Sequence, residues 1–341
     1  MSKSSIRTKG KIARFFTYAA LVFFGTGFVL PFFWLVTTSF KPAARIQKWP
    51  PDVIPMQNVK AKVGGKTREI YVTPDGAEVA MIKRIKGGFA QVIRVENAAG
   101  KPERVNGDTL EPKARPGLEW KNYTKGLVFI PFFQQLKNTL IIAILSVIGT
   151  ILSCSLVAYG LAKIEWKGKN TLFLILLSTM MLPGQVTMIP VFAIMVKLGW
   201  VDTFMPLVVP AFLGSPFFIF LLRQFFLGIP KELSEAAKLD GCNEWDIYRR
   251  VIMPLSKPAL ATVGLFSFMG AWNDFMGPLI YLVDESKYTV SLGLAMFTGQ
   301  YGNEYGMLMA VSTVVTIPII IIFFFTQRTF IQGMTMSGIK G

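Results

Sequence analysis

Apolar residues in this chain come in runs of roughly 20, the length an α-helix needs to cross the hydrocarbon of a bilayer. No other feature constrains the fold as strongly. Six runs are visible, at about 15–39, 139–162, 171–196, 204–223, 259–283 and 305–325. Backbone N–H and C=O groups inside a membrane find no water, so each run is predicted to be helical. Composition agrees. Of 341 residues, 52% are hydrophobic and 16% are charged, against roughly 25% charged in an ordinary soluble domain. The expected architecture is an all-α polytopic membrane protein with six transmembrane helices.

Charge around the runs sets an orientation. Lys3, Arg7, Lys9, Lys11 and Arg14 precede run 1, and Lys163, Lys167 and Lys169 separate runs 2 and 3. Arg223, Lys231, Lys238, Arg249, Arg250 and Lys257 separate runs 4 and 5, and Arg328 and Lys340 follow run 6. All fall on one side, which the positive-inside rule makes cytoplasmic. Run 1 is too long for the core of a removed signal peptide and reads as a retained anchor. The expected organisation is a cytoplasmic N-terminus (1–14), span 1 (15–39), an extracytoplasmic segment (40–138), a core of spans 2–6 (139–325) with a cytoplasmic loop at 224–258, and a cytoplasmic tail (326–341). The net charge of +16 does not indicate nucleic acid: residues 41–126 contribute +8 and the remainder +8, without a basic block interleaved with aromatics.

The long outer segment differs in character. Residues 69–73 and 79–82 are β-prone and flank the turn signal Pro74-Asp75-Gly76-Ala77, and another β-prone run covers 89–95. These predict a small antiparallel β insertion of three to five strands at about 57–118. Gly64-Gly65-Lys66-Thr67 resembles the end of a phosphate-binding loop, but Lys60 stands where the first glycine is required, so no nucleotide site is assigned. With no histidine and two cysteines, Cys154 and Cys242, in different settings, neither a catalytic set nor a metal site is predicted.

Polar interruptions within the runs are the candidates for a transport pathway. Asp274 is an intramembrane acid, in Trp272-Asn273-Asp274-Phe275, and such groups are expensive to keep in lipid unless they line a cavity or join a network. Gln185 and Thr187 follow Pro183-Gly184 in run 3 and form its most polar stretch. Proline-broken helices are tolerated where neighbours or a cavity satisfy the freed carbonyls.

Between runs 4 and 5 lies the polar stretch Pro230–Pro254, read as two short helices with a glycine elbow. Pro230 suits the first helical position. Glu232 and Glu235 complement the helix dipole. Leu233, Ala236 and Ala237 offer a small apolar face. Gly241 is the stop, Asn243 the cap of a second helix, and Pro254 its end.

Glu235-Ala236-Ala237, then Gly241 after three residues, then Val251-Ile252-Met253-Pro254 after nine, resembles the EAA motif of ABC importer permeases. Val251 and Met253 replace the isoleucine and leucine of that pattern conservatively. Residues 181–187, 217–224, 272–275 and the tail from Gln327 to Gly341 are also similar to permeases of the maltose-transporter type, and the resemblance covers the chain outside about 57–118. It implies a subunit that binds no cofactor itself, with ATP and Mg held by separate ABC ATPase subunits. Glu235, Ala236, Ala237, Asp240, Gly241 and Pro254 would form the ATPase-coupling elbow, and Ser337, Gly338 and Lys340 a second ATPase contact. A second permease would complete a heterodimer in a bacterial inner membrane. An extracytoplasmic solute-binding protein would deliver a sugar or related polyol, approached by Gln300, Tyr301 and Asn303. Gln185, Thr187, Trp272, Asn273 and Asp274 would be the pathway candidates. The alternatives are a secondary transporter or channel, which would require coupling acids or inverted repeats, and a membrane-embedded enzyme, for which the spans hold no paired acids.

Overall fold

The computed structural model describes residues 3–85, 87–97, 100–299 and 304–338, with side chains described over 14–327 of that range. The chain divides into two compact units, one of residues 1–127 with 300–313, the other of 128–299 with 314–341.

In the first unit, α1 (Lys3–Ser39) leaves its phenylalanines and leucines from Phe15 to Phe33 uncovered by protein, and among its described side chains only Thr37, Thr38 and Ser39 are buried. A helix so apolar and so bare suits lipid. Just past it, α2 (Ala43–Ile46) buries Arg45, whose guanidinium donates to Asp52 Oδ2 at 2.7 Å and to Asn58 Oδ1 at 2.9 Å. The hydrogen bond from Arg45 holds the Asp52 carboxyl below its ordinary pKa.

Eight strands follow: β1 (Met56–Asn58), β2 (Lys60–Val63), β3 (Lys66–Val72), β4 (Glu78–Arg84), β5 (Phe89–Arg94), β6 (Glu103–Asn106), β7 (Glu111–Pro112) and β8 (Ala114–Pro116). The order β2-β3-β4-β5-β6 is antiparallel throughout, with β7 added to β3 and β1 paired to β8. Alternation along the strands sends Val79, Ala90 and Val92 into one cluster, which Leu110 joins from just before β7, and Val63, Ile70 and Ala80 into another. The strands run from Met56 to Pro116 and are more than the three to five expected. Strands of two or three residues carry too little period to be legible. Gly64 and Gly65, at φ +60° and +75°, also make the two-residue hairpin that joins β2 to β3. That hairpin accounts for the two glycines of the phosphate-loop lookalike.

Helices account for the rest: α3 (Lys121–Phe129), α4 (Phe132–Ala162), α5 (Lys169–Thr179), α6 (Gly184–Lys197), α7 (Met205–Val208), α8 (Pro216–Leu227), α9 (Lys231–Leu239), α10 (Glu244–Asp246), α11 (Met253–Leu255), α12 (Lys257–Asn273), α13 (Met276–Tyr281), α14 (Val290–Ala295) and α15 (Tyr305–Gly338). Among the described residues, four stretches are long and apolar enough to cross a membrane: Arg14–Ser39, Phe132–Ala162, Met205–Leu227 and Tyr305–Gln327. Two further pairs reach that length only when counted across a bend, α5 with α6 at 97° and Glu244–Leu255 with α12 at 79°. Runs 3 and 5 are thus broken rather than straight, and six spans are reached only if each bent pair counts as one. In run 3, Pro183 is extended (φ −62°, ψ 133°) and has no N–H to carry the helix on. In run 5 the helix stops at Asn273, Asp274 is extended, and α13 restarts at Met276.

The second unit is organised around α4. Its covered side carries Ala143, Ser146, Gly149, Thr150, Ser155 and Ala158, small residues that let a neighbouring backbone approach. That backbone belongs to α7, the 3-10 turn Val209–Leu213 and α8, where Pro210 and the left-handed Gly214 (φ +92°) interrupt helical bonding. Oxygens left without a helical donor are met from α4. Ser153 Oγ donates to Ala211 O at 2.9 Å and Ser146 Oγ to Leu207 O at 3.3 Å, while Ser215 N donates to Cys154 Sγ at 3.2 Å. Ser267 Oγ on α12 donates to Thr150 Oγ1 at 3.1 Å.

Gly149 marks a close approach of α4 to the 3-10 turn, because a Cβ there would lie 2.5 Å from the Phe212 ring. Gly149→Val should overpack this contact by about 1–3 kcal/mol and lower the melting temperature of the detergent-purified protein. Gly160→Ala, whose methyl meets nothing within 4 Å, should not lower it. Equal melting temperatures for the two variants would contradict the packing described.

Candidate functional site

The elbow has the two-helix form expected, with its boundaries shifted. Pro230 is the cap residue rather than the first helical one, and α9 begins at Lys231. At the other end, Gly241 N donates to Lys238 O at 3.0 Å and Cys242 N to Ala237 O at 2.9 Å, with Gly241 at φ +83°. This is the paired C-terminal closure that a left-handed glycine permits. Asn243 caps α10 as predicted, its Oδ1 accepting from Asp246 N at 2.9 Å. Pro254 does not end the second helix. Residues Ile247–Ile252 widen into a π turn, in which Met253 N donates to Tyr248 O. That extra residue per turn lets the helix pass Pro254, which has no N–H, and continue to Leu255.

The apolar face of α9 is split. Ala237 turns inward against the buried cluster that includes Phe226, Ile247 and Tyr248. Glu235, Ala236, Asp240 and Leu233 remain exposed, and Leu239 is 91% exposed. Neither Glu235 nor Asp240 has a side-chain partner among the described residues.

Ser155 and Tyr159 of α4 and its C-cap residue Lys163, contacts that sequence reasoning missed, hold the elbow from behind. Lys163 Nζ donates to Ile229 O at 2.6 Å, where the elbow begins. Tyr159 OH donates to Glu244 Oε2 at 2.6 Å, and Lys238 of α9 reaches the other oxygen of that carboxylate at 2.7 Å. Ser155 Oγ and Tyr248 OH are 2.7 Å apart, and the Tyr159 and Tyr248 rings lie 5.4 Å apart. Ser155, Tyr159 and Lys163 are spaced four apart, so they share one helix face. That polar stripe at the end of an apolar run was the available signal.

The pathway candidates sit at the two breaks. Gln185 and Thr187 are exposed in the first turn of α6, just past Pro183, and Thr187 Oγ1 donates to Gly184 O. Asp274 follows the end of α12, where its Oδ1 accepts from Gly277 N at 3.0 Å and its backbone oxygen from Ser291 Oγ. Asn273 is exposed and donates to Met269 O at 2.8 Å. Trp272 is 2% exposed and stacked on Phe268, so its ring packs behind the break.

The loop after α13 has a centre that the sequence did not advertise. Asp202, in the left-handed region at φ +58°, accepts at Oδ1 from Val283 N and Asp284 N, both at 3.0 Å, and at Oδ2 from Lys287 Nζ at 2.6 Å. Asn138 of α4 donates to Ser286 O and Tyr288 O at 2.9 and 3.0 Å, and Thr139 Oγ1 accepts from Val290 N. Gln300, Tyr301 and Asn303 lie outside the described residues, as does Lys340. Ser337 and Gly338 fall at the end of α15, their side chains outside the described range.

Residues 151–336 match the family described as binding-protein-dependent transport system inner membrane component. The chain belongs to this family. It is a multi-pass inner-membrane permease and a member of the ABC importer permeases. It is 40% identical over 210 residues to the arabinooligosaccharides transport system permease protein AraQ of Halalkalibacterium halodurans, covering 62% of this chain and 75% of that one. Its identity to AraQ of Bacillus subtilis is 37% over 236 residues, 68% of this chain and 82% of the other. To the trehalose/maltose transport system permease protein MalG of Thermococcus litoralis it is 36% over 235 residues, 66% and 84%. The fold is similar, at TM-score 0.65 and 20% identity, to a chain in the crystal structure of a bacterial ABC transporter involved in the import of the acidic polysaccharide alginate, over 97% of this chain and 99% of that one. At that coverage the β insertion lies within the matched span.

In this permease the Asp202 carboxyl is held at about 2, below its ordinary value, by the Asp284 amide first, then by Lys287 and the Val283 amide. A depressed pKa means that the stabilisation is complete above the unfolded carboxylate value near 4 and is lost as pH falls towards 2. Amide-exchange protection at Val283 and Asp284 should therefore hold at pH 5 and decline below pH 4. Asp202→Asn should lose much of that protection already at pH 5 and show no acid transition. Identical profiles for the two proteins would remove Asp202 as the centre of the loop.

Proposed function

We propose that this permease is the transmembrane subunit of an ATP-driven importer for a carbohydrate or related polyol, and that α9 is the joint through which separate ABC ATPase subunits drive it. ATP and Mg belong to those subunits. The observation that carries the reading is α9 itself: a short helix with Glu235 and Ala236 outward and without a side-chain partner among the described residues, its C-terminus closed at Gly241, and the chain entering it tied at Ile229 to Lys163 at the end of α4. Such a surface offers a small apolar patch and a free carboxylate to a basic partner residue. The positive-inside distribution favours a cytoplasmic elbow and cytoplasmic termini. The relatives named for arabino-oligosaccharides and for trehalose and maltose support the substrate class.

The polar groups at the two helix breaks, Gln185 and Thr187 on one and Asn273 and Asp274 on the other, are assigned to the pathway, with Trp272 packing behind. Unpaired helix ends and freed carbonyls at a break suit the hydroxyls of a sugar. The apolar faces of α5 and α6, on which only Met195 is buried, are available to lipid and to a second permease in a heterodimer. Ser337, Gly338 and Lys340 are assigned to a second ATPase contact. Gln300, Tyr301 and Asn303 are assigned to an extracytoplasmic solute-binding protein.

Two experiments test this reading. The tagged permease, solubilised mildly, is expected to bring down an ATPase subunit. Glu235→Arg and Gly241→Val should each lower ATP-dependent uptake about tenfold or more at unchanged membrane levels. Absence of any ATPase, or uptake at the parent rate in both variants, would refute the joint. Separately, the β insertion is assigned to widening the binding-protein contact. Deleting residues 60–115 should weaken the affinity of the binding protein for the transporter, and an unchanged affinity with unchanged uptake would discard that assignment.

A further inference from the structure

Glu244 occupies an unusual position between the elbow and the membrane helices. It lies three residues past the glycine hinge, at the start of α10, and its two carboxylate oxygens are engaged by different elements. Lys238 of α9 takes one at 2.7 Å and Tyr159 of α4 takes the other at 2.6 Å. Otherwise α9 meets the second helix through Ala237, packed on the cluster that holds Ile247 and Tyr248, and through the backbone turn at Gly241, whose conformation only glycine adopts readily. One small apolar contact beside a glycine turn is less directional than paired side-chain hydrogen bonds. The Lys238–Glu244–Tyr159 chain spans that turn with side chains.

The rest of the interface supports the same direction of transfer. Ser155 and Tyr248 join the π turn to α4 one helical turn deeper, and Lys163 joins α4 to Ile229 at the start of the elbow. Ser155, Tyr159 and Lys163 therefore grip the elbow at three points along one face of α4. Two of these grips are buried or use a backbone oxygen. Glu244 is different, with its side chain 43% exposed and Lys238 55% exposed. Packing alone would place an apolar side chain there. A half-exposed carboxylate with two donors from two elements is a strong, directional and releasable link.

We propose that Glu244, bridged by Lys238 and Tyr159, is the positioning residue that passes displacement of α9 to α4, so that hydrolysis in the partner ATPase and movement of the pathway stay in step. This inference rests on the assignment of α9 as the ATPase joint. It concerns a different set of residues from the exposed face of α9, and it predicts uncoupling rather than failure to assemble.

The test uses the assembled transporter in proteoliposomes with its binding protein, measuring substrate uptake and ATP hydrolysis on the same sample. Tyr159→Phe, Glu244→Gln and Lys238→Met are each expected to lower uptake about fivefold more than they lower hydrolysis. The double variant Tyr159→Phe with Glu244→Gln should be no worse than the more affected single one, because both remove one link. A purely structural role would instead reduce uptake and hydrolysis together, in proportion to assembled transporter. Uptake and hydrolysis falling in step, or neither changing, would overturn the inference while leaving the ATPase joint standing. Failure of the unsubstituted permease to bring down an ATPase would overturn both. Should Tyr159→Phe not fold, the other two single variants decide, since Gln is isosteric with Glu and Lys238 is half in solvent.

Discussion

Backbone hydrogen bonding in an apolar medium is the constraint on which the permease depends. A straight helix satisfies its own N–H and C=O groups, but a helix that bends must find partners elsewhere. The second unit contains several such interruptions, at Pro183, Pro210, Gly214 and Asp274. The unbroken α4 supplies side-chain oxygens and a sulfur to one of them through Ser146, Ser153 and Cys154. Serine and threonine are spread along its whole length among alanine and glycine, small enough to admit a second backbone and polar enough to complete it.

That arrangement explains how broken helices persist without collapsing. Interruptions at Pro183 and Asp274 leave polar groups and free helix ends within otherwise apolar runs, where an uninterrupted helix would present only side chains. At one end α4 holds the loop after α13 through Asn138 and Thr139, and at the other it holds the elbow through Ser155, Tyr159 and Lys163. One continuous helix thus joins the elbow assigned to the ATPase, at one end, to the loop centred on Asp202, at the other. A rigid element between two such surfaces is what a mechanical coupling requires.

Much of this is legible in the chain. The elbow can be read because its residues are chosen by local backbone geometry: only glycine closes a helix easily at φ +83°, and Asn243 caps the next turn with its own side chain. The β insertion is legible for the same reason, through its turns, although strands of two or three residues are not. The bends look like continuous runs in the sequence, since hydropathy reports only that a stretch is apolar and is blind to its direction. Pro183 gives a hint, but Pro31 and Pro318 lie inside continuous helices, so proline alone does not decide. Pro254 illustrates the point, because a π turn carries the helix past it.

By itself the sequence determined that this chain lives in a membrane, that a polar two-helix elbow interrupts its apolar runs, and that a β module sits between the first two. Those properties follow from composition, run length and the φ preferences of glycine and proline, all of which act within a few residues. Tertiary structure alone decided that Tyr159 meets Glu244 across 85 positions, that Asp202 organises a loop about 80 residues away, and that Ala237 turns inward while Ala236 stays out. Hydrogen bonds between distant residues depend on how helices cross, and the crossing is set by where small side chains let two backbones approach.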